Sequence, residues 1–231
     1  MISRSPQSGF TIVDALVAIV VVGILMTAIA PVMVLSVGNR VQARRVELAT
    51  QAANTYIAGV RSGTIPPPNH TVILNEVSQS STTPQFNAQR VVFTNTPPPV
   101  ATSLICTSTI PGYPYCQNSP TSSLYCVDLD QTAGCNSDSV RDLVVQAFRS
   151  ATPTATDAQK GYLLGIRVYR VDAFSDNTPL VKSDADTRRT QATFTGGAGD
   201  RKAPLIEITT EISTRETRLQ DLCDRLGGCQ L

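Results

Sequence analysis

The chain has 231 residues, with 19 basic against 18 acidic side chains and a formal net charge of +1, so it lacks the global basic field that gathers nucleic acid. Aromatic residues make up 5% of it and tryptophan is absent, which argues against base-stacking surfaces and against an aromatic platform for sugars.

A nine-residue polar leader, with Arg4 as its one charged side chain and Gly9 at its end, precedes Phe10-Thr11-Ile12-Val13-Asp14. Residues 15–39 then carry no charge at all. About 20 apolar residues at 1.5 Å rise cross a hydrocarbon core of about 30 Å, so this run predicts a transmembrane helix. A secretory signal would have a shorter apolar core and a small-residue cleavage site, whereas here Ala28-Ile29-Ala30 is followed by Pro31 and more apolar residues. A plain anchor leaves Asp14 unexplained, because a carboxylate near the hydrocarbon boundary is costly and marks a functional position by default. It becomes tolerable with a cationic partner such as a freed α-amine, and unpaired it would tend to protonate.

Beyond the span the helical period continues. Val41, Leu48, Ala49, Ala52, Ala53, Tyr56, Ile57 and Val60 recur at spacings of three, four and seven, with Gln42, Arg44, Arg45, Glu47, Gln51 and Asn54 between them. One helix is predicted from about Ile12 to about Arg61, roughly 75 Å long at 1.5 Å per residue. Pro31 should kink it or open one turn, and Gly63 followed by Pro66-Pro67-Pro68 should end it. Its second half offers an apolar stripe on which a globular domain can pack.

Residues 64–231 suffice for one domain with a modest core. Strands are predicted at 72–77, 90–94, 124–129, 162–171 and 205–213 from alternation and β-branched content. In the last, Ile206, Ile208, Thr210 and Ile212 share one face. Ser137 is read as the cap of a helix with Val140, Leu143, Val144, Ala147 and Phe148 on its apolar side. Near the end, Ser213-Thr214-Arg215-Glu216 fits a capping box for a short C-terminal helix carrying Leu219, Leu222 and Leu226, stopped by Gly227-Gly228. The fold class is therefore α+β: a long N-terminal helix packed on a small antiparallel sheet.

Six cysteines, Cys106, Cys116, Cys126, Cys135, Cys223 and Cys229, are even in number and all lie beyond residue 100. They allow fifteen pairings, of which 106–116, 126–135 and 223–229 is the sequence-local set. Zinc is disfavoured, since there is no Cys-x-x-Cys and the one histidine, His70, is distant in sequence. Catalytic signals are equally sparse: His70 sits in a Pro-rich loop, and there is no Gly-x-Ser-x-Gly, phosphate-binding loop or His-Glu-x-x-His. No cofactor is expected and the chain is read as a non-enzyme. Asp128-Leu129-Asp130 and Asp184-Ala185-Asp186 pair carboxylates, yet neither is followed by the spaced Gly and Glu of a calcium loop, so both are read as solvated loop acids. Gly196-Gly197-Ala198-Gly199-Asp200 reads as a flexible turn.

The string Gly9-Phe10-Thr11-Ile12-Val13-Asp14 resembles the prepilin family, which comprises type IV pilins, minor pilins and the pseudopilins of related secretion machines; most members have Glu where this chain has Asp14. Pro31 also falls where many pilins place a proline in the first helix. The resemblance implies a leader at 1–9, a membrane half of the helix at 10–39 and an amphipathic half at 40–63. It further implies cutting between Gly9 and Phe10 by a prepilin peptidase, methylation of the new amine, and an assembly contact between Asp14 and a neighbouring subunit's terminal amine. Within that family the chain is similar to the cyanobacterial hormogonium polysaccharide secretion pseudopilins. The strings that carry this are Arg40-Val41-Gln42-Ala43-Arg44-Arg45-Val46-Glu47-Leu48, Gly112-Tyr113-Pro114-Tyr115-Cys116-Gln117-Asn118, Ala147-Phe148-Arg149-Ser150, Gly199-Asp200-Arg201-Lys202-Ala203-Pro204 and the Cys223 to Cys229 tail.

This similarity implies a minor pseudopilin supporting polysaccharide export and gliding. Its expected partners are the peptidase, other pilin-like subunits, an inner-membrane assembly platform and a polysaccharide, with no nucleic acid. A minor pilin for adhesion or DNA uptake, or an anchored extracellular glycan-binding or hydrolytic domain, are the alternatives. Orientation is contested by the residues themselves. Arg40, Arg44 and Arg45 beyond the span would place the C-terminal part in the cytoplasm, while the cysteines and the leader place it in the periplasm or outside the cell. The expected placement is a single-pass inner-membrane protein with its domain outside.

Overall fold

The computed structural model describes residues 11–74, 93–101, 104–106, 115–118, 122–130, 134–151, 157–184, 186–191, 200–219 and 221–222. One helix, α1, runs Ile12–Arg61, the span expected from the unbroken helical period. It ends where the sequence places its stop: Ser62 caps it, and Gly63 takes φ +74°, a left-handed geometry that costs glycine least. Helical backbone continues through Pro31, which lacks one backbone donor.

The strands are β1 Thr71–Ile73, β2 Tyr115–Asn118, β3 Ser122–Val127, β4 Leu143–Ala151, β5 Tyr162–Arg170 and β6 Ile206–Ile212. They form one sheet in the order β2-β3-β4-β5-β6 with antiparallel neighbours. The sheet has one parallel pairing, β1 alongside the C-terminal end of β4, on the edge that β3 leaves open.

Three expectations are corrected. The helix predicted from Ser137 is replaced by β4, a strand buried on both faces. Leu143, Val145 and Ala147 turn toward α1, Val144 joins the opposite cluster, and Phe148 packs with Leu74, Phe93 and Leu163. A strand covered on both sides reads as a continuous apolar run, and Leu143, Val144, Ala147 and Phe148, with exposed Val140 just ahead of the strand, match helical spacing. Phe93 and Thr94 have helical backbone, not strand, and Leu74 lies just past the end of β1, while residues 90–92 of the one prediction and 75–77 of the other lie outside the described residues. Ser213–Glu216 forms no helix start: Thr214 accepts the Glu216 N–H in a turn, and helical backbone begins at Leu219, where Asp221 accepts the Arg218 N–H at 2.8 Å. Leu226, Gly227, Gly228, Cys223 and Cys229 lie outside the described residues.

The core has two layers. On one side of the sheet, Ala49, Ala52, Ala53, Tyr56, Ile57 and Val60 of α1 meet Val145, Leu164, Ile166 and Ile212. The small alanines let the helix backbone approach the sheet closely, and Tyr56 stacks edge-on against Tyr125, with 5.3 Å between ring centroids. Gln42, expected on the polar side, is instead buried and donates to Gln191 Oε1 at 2.9 Å. The opposite face is covered by loops, including the turn Val171–Phe174 and the segment 93–101. Gly165, opposite Phe148 in the β4–β5 register, leaves room for that ring: a Cβ there would stand 2.3 Å from it.

Of the six cysteines, Cys106 pairs with Cys116 and Cys126 with Cys135, two of the three sequence-local bridges. Each closes a short loop against the sheet edge, and such a loop removes disorder from the unfolded chain by about 2–4 kcal/mol.

Candidate functional site

The helix tip is built from its own first turn. Thr11 is the N-cap in extended conformation, and Thr11 and Asp14 form a reciprocal capping box. The Asp14 carboxylate accepts from the Thr11 N–H at 3.2 Å and from the Thr11 hydroxyl at 2.7 Å, while the Asp14 N–H donates to Thr11 Oγ1 at 3.3 Å. Asp14 thus has a local role as a helix cap. The Thr-x-x-Asp spacing ahead of an apolar run is a sequence signature of such a cap, and Thr11 could have been singled out on that ground. Gly9 and Phe10 lie outside the described residues.

From this tip the helix shaft is bare. Ile12, Val13, Leu16, Val17, Ile19, Val20 and the apolar residues up to Val37 are exposed, Ile12 by 82%. Residues 12–39 would span about 40 Å at 1.5 Å per residue, more than the hydrocarbon core requires. The helix is long and apolar enough to cross a membrane once. The first buried residue on it is Gln42, and from Ala49 onward the same helix is the core of the domain. One element therefore has a lipid-compatible half and a domain-bearing half, divided near Arg40.

Other sequence-derived candidates fall apart or come together as follows. His70 is half-buried just ahead of β1, where desolvation lowers its pKa and favours the neutral imidazole. It lines a pocket of about 30 Å³ with Tyr56 and Tyr115, room for about one water. The sulfurs of Cys116, Cys126 and Cys135 lie within 4.8 Å of one another, but all three are consumed in disulfides and supply no thiolate for zinc. Asp184 is held by Lys182 at 2.9 Å, and that hydrogen bond keeps its carboxyl below the usual range. Residues 196–199 lie outside the described residues.

Asp128 and Asp130 do acquire a companion. Asp142, at the foot of β4, brings a carboxylate oxygen within 4.8 Å of theirs. Sequence reading missed it because a helix was expected there, and in a helix Asp142 would have pointed to solvent. Alongside, a shallow groove of about 360 Å³ runs between α1 and β3, bordered by Leu48, Gln51, Thr55, Tyr125 and Asp128.

The fold is α+β: one helix, long and apolar enough to cross a membrane, whose second half is clasped by a disulfide-bonded sheet domain. Compared with protein-family models, curated proteins and solved structures, the chain matches none.

Proposed function

We propose that the chain is a minor pseudopilin, a non-enzymatic subunit of a type IV pilus-like apparatus that supports export of an extracellular polysaccharide and gliding. The observation that carries this reading is the division of α1 into an exposed apolar half and a half built into the domain. An ordinary anchor needs only the first; a subunit that moves from bilayer to filament needs the apolar shaft continuous with a rigid handle, so that the domain travels with the helix. The leader string ending at Gly9, the new amine it would leave on Phe10 and the Asp14 carboxylate one turn inside supply the processing and pairing chemistry. Its partners in this reading are a prepilin peptidase, an inner-membrane assembly platform and neighbouring helices of the same kind, with the sheet domain outside the cell membrane, where disulfides persist.

A strain lacking the chain should retain its pili and lose polysaccharide release and gliding. Loss of pili with normal polysaccharide would instead assign it to a general type IV pilus, and a strain normal in all three would sink both roles.

A further inference from the structure

We propose that Arg40 and Arg44 form a headgroup site for an anionic phospholipid at the foot of the domain, with the acyl chains lying along the apolar face of α1 beneath them. The two arginines are exposed and four residues apart, so they share one face of the helix, about 6 Å from each other along its axis. That rise matches one headgroup layer, since a bilayer of about 40–45 Å encloses a hydrocarbon core of about 30 Å. Gln42, buried against Gln191, lies about 200° round the helix from Arg40, so the arginine face turns away from the domain. Below Arg40 the same face carries Val37, Met33, Ile29, Met26 and Val22, at intervals of three and four residues and all exposed. Two cations above an unbroken apolar rail are the complement of a lipid that joins a phosphate to hydrocarbon chains.

The neighbouring charges leave this pair available. Arg40 has no acidic residue three or four positions away on either side. Arg44 donates from Nη1 to Glu47 Oε2 at 3.0 Å, but both side chains are more than half exposed, and an exposed pair of this kind contributes little against a phosphate competing for the other guanidinium donors. Arg45 is turned toward the domain, where burial and then the nearby Arg170 lower its pKa while Asp172 acts the other way. It adds positive field to the site without facing the lipid. Arginine suits the headgroup because its planar fork can grip two phosphate oxygens at once, while its aliphatic stem lies against the acyl boundary. The site rests on the reading of α1 as a membrane span; it holds for either orientation of the chain and whatever filament the subunit joins.

The test is titration of the full chain in detergent micelles with phosphatidylglycerol or with phosphatidylcholine of the same acyl chains, bound lipid being counted by native mass spectrometry. The expected result is a phosphatidylglycerol retained in preference to phosphatidylcholine by about tenfold or more, since each arginine near an anionic lipid surface is worth about fivefold. Arg40→Gln and Arg44→Gln together should abolish the preference, and each alone should reduce it by about fivefold. Arg215→Gln, exposed beyond the end of β6 that meets Arg61, should leave it unchanged. Equal retention of the two lipids by the unmodified chain, or a preference that survives in the double variant, overturns the proposal. Insertion is read separately, as resistance to alkaline carbonate extraction from phosphatidylcholine vesicles. The unmodified chain and the double variant should both stay with the vesicles; extraction of both would remove the span and the site with it, whereas retention without lipid preference removes the site alone.

Discussion

Arg167→Ala is expected to destabilise the folded domain by about 3–5 kcal/mol, the usual cost of removing one partner of a buried ion pair. Arg167 is 3% exposed and stands at the centre of β5, in register with Gln146 of β4 and Glu207 of β6. Its guanidinium donates to Thr96 O at 2.7 Å, Thr94 O at 2.6 Å and Gln146 Oε1 at 3.3 Å, pairs with Glu207 Oε1 at 3.0 Å, and lies 5.0 Å from the Phe148 ring centroid. Gln146 adds its own bond to Pro97 O at 2.8 Å. These side chains fasten segment 93–101 onto the sheet face opposite α1, a loop that has few backbone bonds of its own to the strands. Lysine in place of Arg167 should recover part of the loss, because it keeps the charge but lacks the planar fork that reaches several acceptors at once. Thermal melting of the full chain in detergent should show a fall of about 6–20 °C for the alanine variant. A change under about 2 °C would mean that the network contributes little beyond ordinary surface pairs.

Asp14 carries the second large effect, and its two roles can be separated by substitution. As a cap, it is one half of a reciprocal pair with Thr11 that asparagine can partly reproduce. As an assembly contact, it must be negative, because its partner is an amine held at membrane depth. Asp14→Ala and Asp14→Asn should therefore both be cut at Gly9 normally and both fail to enter filaments, while Asp14→Glu assembles. An uncompensated charge at membrane depth costs roughly 2.5–3.5 kcal/mol on insertion scales, so incorporation should fall roughly a hundredfold. Filament-associated protein, measured against total processed protein, distinguishes the cases. If Asp14→Asn assembles like the unmodified chain, capping is its whole function.

Much of this architecture can be read from residue order, for identifiable reasons. The bounds of α1 follow from a charge-free run joined to a helical stripe and a Gly63 stop, and its cap could have been read from Thr11 and Asp14. The strands β3, β5 and β6 announce themselves through β-branched content, with Ile206, Ile208 and Ile212 directed to the helix-side core. The central strand β4 does not, because burial on both faces erases the alternation that marks a half-buried strand. That one misreading also hid Asp142, whose position beside Asp128 and Asp130 depends on β4 running antiparallel to β3. Strand β2 is four residues long and sits among Gly, Pro and Asn, too short to show a period. Nothing in the strand pattern of 162–171 sets Arg167 apart; the loop folded over it makes it a keystone of that face.

The account rests on a cut that would create the mature N terminus, and intact-mass measurement of the chain isolated from its native membrane tests this most directly. The predicted result is a chain beginning at Phe10, with its amine methylated and its six cysteines oxidised. A mature chain that still begins at Met1 would contradict the account and leave α1 as an ordinary membrane anchor.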